Sequence, residues 1–83
     1  MQQYDKENSI KLGNRIKELR TKHSKSLNAF VMERGGLTTA SWSRIENGKF
    51  DAKFSTIVKV AAMLDISIEE LFQGLSLNYI LEE

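Results

Sequence analysis

The chain has 83 residues and a formal net charge of +1, with no cysteine and a single histidine. That length makes one domain, burying only about 60 to 65% of its unfolded surface, so a deep catalytic cleft is not expected. The composition excludes a disulfide framework, a thiolate metal site and a histidine cluster for zinc, and no apolar run approaches the roughly 20 residues that span a bilayer. The polar start, Met1 to Lys6, lacks the apolar core of a secretion signal, so a soluble, cytoplasmic protein is expected. Charge is unevenly spread: residues 11–59 hold eleven basic side chains against four acids, a local balance of +7, while residues 65–83 hold only acids. One side of such a body suits a polyanion.

Residues 1–8 are polar and are expected to fray. From Ser9, Leu12, Ile16, Leu19 and His23 recur at helical steps and describe a first helix over about 9–22. Arg20 flanks its inward face, where a charge needs a partner, and Glu46 is in the same position four residues after Trp42; the two are expected to meet in a partly buried ion pair. His23 reads as a solvated residue at the helix end. Ser26 caps a second helix with Leu27, Phe30, Val31 and Arg34 on one stripe, and Gly35-Gly36 ends it.

Next comes the stretch that organises the chain, residues 38–47. Thr38 is a good N-cap, Leu37, Trp42 and Ile45 share one face, and Gly48 suits the left-handed residue beyond the end. The opposite face carries Thr39, Ala40, Ser43, Arg44 and Asn47, the methyl, hydroxyl and guanidinium groups that read base edges in a major groove. Trp42 reads as core. Two short helices around a glycine turn, the second with a polar outer face, make a helix-turn-helix unit. Asp51 is the expected cap of a fourth helix to about Leu64, with Phe54, Ile57, Val58, Ala61 and Leu64 inward. Ser67-Ile68-Glu69-Glu70 is a capping box for a fifth helix that stops at Gly74. The fold expected is all-α, with the domain over 9–74 and a tail over 75–83.

In the tail, Leu75, Leu77, Tyr79 and Leu81 alternate with Ser76, Asn78 and Ile80, a two-residue period that reads as a strand. Together with Ile68, Leu71 and Phe72 it is expected to form a symmetric dimer interface. The competing reading folds the tail back over its own core.

The segments Leu12 to Arg20, Leu27 with Phe30-Val31, Trp42 to Lys49 and Val60 to Phe72 resemble the Cro/CI-type helix-turn-helix domain, or XRE family, over about residues 10–73. The resemblance implies a five-helix, lambda-repressor-like fold, usually dimeric, with the third helix in the major groove of operator DNA. It places base reading on Thr39, Ala40 and Arg44, with Ser41 and Ser43 close by. Phosphate contacts would come from Ser26 and Asn28 at the start of helix 2, from Asn47-Gly48-Lys49, and from Lys53. The family's helix 1 to helix 3 ion pair maps onto Arg20 and Glu46. Two departures stand out: Leu27 occupies the position where a glutamine often braces the recognition helix and touches phosphate, and Gly36 reads as an insertion in the turn.

The expected function is a homodimeric transcription regulator on a palindromic operator, with half-sites roughly 34 Å apart. It needs no cofactor, metal or membrane. The alternative is an antitoxin that binds a protein toxin and regulates its own operon. No nucleophile, base and orienting group assemble into an enzyme site.

Overall fold

A computed structural model of the chain describes residues 6–23, 26–49 and 51–77. The architecture is all-α: α1 (Lys6–Thr21), α2 (Leu27–Arg34), α3 (Thr39–Glu46), α4 (Phe54–Leu64) and α5 (Ile68–Leu71). α1 begins three residues earlier than its apolar period, because Lys6, Glu7 and Asn8 add a polar first turn that hydrophobic spacing does not register; Glu7 and Lys11 pair across one turn at 3.8 Å. Residues 1–5 of the expected frayed segment lie outside the described residues.

The core is built around two aromatic rings. Trp42 of α3 and Phe30 of α2 are both fully buried, with ring centroids 5.0 Å apart at 58°. Ile16, Leu19, Val31, Ile45, Val60, Leu64 and Leu71 close round them. α3 packs on α1 and α2, and α4 on α5. Side-chain volume cannot explain how closely α1 and α3 approach. A β-carbon on Gly13 would stand 2.5 Å from the carbonyl oxygens of Ile45 and Glu46, so here one helix backbone rests on the other and only glycine leaves room.

The turn between α2 and α3 contains Gly35 and Gly36, both at positive φ (71° and 99°). A side chain at Gly36 would be strained and would crowd the Met63 sulfur at 3.2 Å, so the second glycine belongs to the way this turn seats on α4.

Three expectations need correction. α4 starts at Phe54 and Asp51 does not cap it; the flanking residue is Lys53, which offers no side-chain oxygen. Phe54, expected inward, is 74% exposed, and Val58 is 42% exposed. The first turn of α4 overhangs the edge of the core, and periodicity gives the direction of a face without saying where the core ends. α5 is one turn long, ending at Leu71 with Phe72 as its C-cap, although Ser67 Oγ does accept from Glu70 N at 3.0 Å.

The described part of the tail is not a strand. Leu75 N bonds back to Phe72 O, and Lys11 donates to Ser76 O at 2.7 Å, which lays residues 75–76 along α1. Arg15 holds the end of α5 beside them, donating to Glu70 O at 2.7 Å and Leu71 O at 3.2 Å. Tyr79 and Leu81 lie outside the described residues. Leu71, expected in a dimer interface, is fully buried in the core of the chain and has no surface to offer one; Ile68 and Phe72 are half-buried against the same core. Leu77 is exposed.

Candidate nucleic-acid interface

α3 begins where Thr38 accepts from Ser41 N at 3.0 Å, satisfying an amide that the helix itself leaves open. Its inner face is Trp42, Ile45 and Glu46, all buried. Outward lie Ala40 and Arg44, both exposed, with Thr39, Ser41 and Ser43 half-buried on the flanks. Two of the flanking hydroxyls are engaged locally. Thr38 donates to Ser41 Oγ at 3.0 Å, and Asn47 donates to Ser43 Oγ at 3.3 Å as well as to Ser43 O at 2.9 Å.

Glu46 is the only acid of α3, and its charge is neutralised inside the domain. Arg20 meets it through Nε at 2.6 Å and Nη2 at 3.2 Å, and the Trp42 indole donates to the same carboxylate at 2.6 Å. Arg20 and Glu46 are each only 7% exposed, so the pair is more deeply buried than its flanking positions in the sequence suggested. α3 therefore offers an outward face with a cation and no anion. α2, α3 and α4 also carry no acid in their first turns, whereas α5 carries Glu69 and Glu70. Helix N-termini without an acidic side chain favour negatively charged oxygens.

The arginines sort the basic half of the chain. Arg15 holds α5, Arg20 is buried on Glu46, and Arg34 donates to Met63 O at 2.9 Å while lying 5.5 Å over the Phe30 ring. Arg44 is exposed on α3. A count of positive charges overstates the surface open to a polyanion, because three guanidiniums are structural. His23, expected in solvent, packs its ring 5.4 Å from Phe30 with Nδ1 3.3 Å from Arg34.

Of the phosphate candidates, Ser26 Oγ accepts from Ala29 N at 3.2 Å, and Asn28, Asn47, Lys49 and Lys53 are exposed. One link was not foreseen: Thr39 donates its hydroxyl proton to Asn28 Oδ1 at 3.0 Å. The first turns of α2 and α3 are thus tied together, and the brace that Leu27 cannot give comes from its neighbour. A separation of eleven residues carries no local signal, so only the folded chain reveals this bond.

A short helix anchored from behind, preceded by a second helix and a glycine turn, with a small-residue and arginine face turned outward, defines a helix-turn-helix protein that binds DNA. A family profile described as a helix-turn-helix domain matches residues 13–77. Among solved structures, the restriction-modification controller protein C.AhdI from Aeromonas hydrophila is similar at 32% identity with a TM-score of 0.71, the match covering 80% of this chain and 98% of that one. No curated protein sequence matches closely enough to count as a relative. The chain belongs to the helix-turn-helix domain family, of the Cro/CI or XRE type, whose members are DNA-binding transcription regulators. Among the described residues no helix is long and apolar enough to cross a membrane.

Proposed function

We propose that the chain acts in the cytoplasm as a homodimeric, sequence-specific regulator on a palindromic operator, each subunit placing α3 in the major groove of one half-site. The observation that carries this reading is the division of α3: Trp42, Ile45 and the neutralised Glu46 face inward, while Ala40 and Arg44 are exposed with Thr39 beside them. Arg44 has the geometry to donate two hydrogen bonds to guanine O6 and N7, and Ala40 offers a methyl to thymine. Ser26, Asn28, Asn47, Lys49 and Lys53 supply phosphate contacts at the two ends of the helix, which fix register without reading sequence. Similarity to a restriction-modification controller protein supports a regulator of that kind.

With Leu71 buried, the second copy needs another surface. Phe54 and Val58 stand one turn apart on α4, both exposed, and Leu77 is 43% exposed. Large apolar side chains left in water at helical spacing suit a self-complementary contact. The protein is a binding module and performs no reaction of its own.

Selection of bound sites from a random DNA pool tests the reading. The expected result is a palindrome with a fixed guanine in each half-site; no enrichment by protein that is folded by circular dichroism refutes it. Untagged purification from the host separates a regulator from an antitoxin, since a stoichiometric second polypeptide marks the latter.

A further inference from the structure

The Thr39 to Asn28 hydrogen bond has a direction, and the direction limits what Thr39 can offer a base. A hydroxyl has one proton, and here it lies on Asn28 Oδ1 at 3.0 Å. What remains on Thr39 is an oxygen with acceptor capacity and a methyl group. In the major groove, an A·T pair presents the adenine N6 amino donor and the thymine methyl on one edge, whereas a G·C pair has an amino donor but no methyl. The bond also fixes the Thr39 rotamer, so acceptor and methyl hold set positions. Asn28 itself is exposed with its oxygen engaged, which leaves its Nδ2 protons as the donors it can offer a phosphate oxygen.

We propose that Asn28 is a positioning residue that determines specificity: by taking the Thr39 hydroxyl proton, it leaves Thr39 with an acceptor and a methyl, a combination matched to an A·T pair. This rests on the proposal that α3 reads bases, and it adds which base pair Thr39 selects and which residue of α2 enforces the selection. Without Asn28 the hydroxyl rotates and donates as well as accepts, so thymine O4 and guanine O6 become partners too.

The test is selection from a random DNA pool with the wild-type protein and with Arg44→Ala, Asn28→Ala and Asn28→Asp, each confirmed folded by its melting curve. Asparagine and aspartate differ in one respect that matters, because aspartate accepts the Thr39 proton but has no N–H to give a phosphate. The wild type is expected to show a guanine position that Arg44→Ala erases and a separate A·T position preferred by roughly fivefold or more. Asn28→Ala is expected to reduce that second preference to under about twofold while the guanine position stays. Asn28→Asp is expected to keep both preferences and weaken binding to every sequence alike, including random DNA. A second position that stays sharp in Asn28→Ala, or is lost in Asn28→Asp, overturns the inference and leaves the reading of α3 intact. If the wild type selects no sequence, the reading of α3 fails and the inference with it.

Discussion

Replacing Glu46 with alanine removes the acceptor of three hydrogen bonds at once: two from Arg20 and one from the Trp42 indole. The guanidinium left behind is 7% exposed and Trp42 is fully buried, so water cannot substitute for the carboxylate. Removing one partner of a buried ion pair costs about 3 to 5 kcal/mol. A domain of 83 residues has roughly 4 to 12 kcal/mol of stability in total, so this single change removes about a quarter of it or more. At about 4 to 8 °C per kcal/mol, the melting temperature should fall by at least roughly 12 °C. The assay is urea unfolding followed by fluorescence, for which the one tryptophan, buried at the centre, is the natural reporter. The double variant Arg20→Met with Glu46→Leu should lose less, about 1 to 3 kcal/mol, because the indole N–H is then left without an acceptor but no unpaired charge stays buried. A Glu46→Ala protein within about 1 kcal/mol of the wild type, or a double variant less stable than the single one, would refute the reasoning.

Three further outcomes follow from the same geometry. Gly13→Ala gains up to about 1 kcal/mol in helix propensity, yet its methyl would stand 2.5 Å from two carbonyl oxygens, so it should melt lower by about 1 to 3 kcal/mol net; a higher melting temperature would contradict the close approach of α1 and α3. Arg44→Ala should weaken operator binding by about 1 to 3 kcal/mol and flatten preference at one base of each half-site, as measured by titration on operator and random DNA; equal weakening on both would assign Arg44 to phosphate instead. Phe54→Glu, at an exposed position, should leave subunit stability within about 0.5 kcal/mol and shift sedimentation from dimer to monomer; an intact dimer would place the interface elsewhere.

The helices were legible wherever a local signal marks them. Thr38 and Ser67 cap α3 and α5 as serine and threonine do before an apolar run, and Trp42, Ile45 and Glu46 share a face by spacing alone. The meeting of Arg20 with Glu46 followed from two charges that each lay beside an inward face. What stayed hidden depends on the third dimension. Leu71 is apolar whether its own core or a partner covers it, and Gly13 gives no sign of its role until α3 lies across it. Phe54 continues the stripe of α4 past the point where there is anything to pack on. In the candidate interface, each outward side chain was readable by type, but the bond from Thr39 to Asn28 joins two helices and so eludes any periodicity.

All that secures α3 lies at its back and sides: the indole and isoleucine beneath, the paired carboxylate, and the backbone of α1 against its last turn. The positions facing away, Ala40 and Arg44, are exposed. On the proposed reading, the base-facing positions Ala40 and Arg44 and the packed residues Trp42, Ile45 and Glu46 fall on opposite sides of the same eight residues. On that reading, exchanging a few outward side chains would change the target, with the architecture that presents them left unaltered.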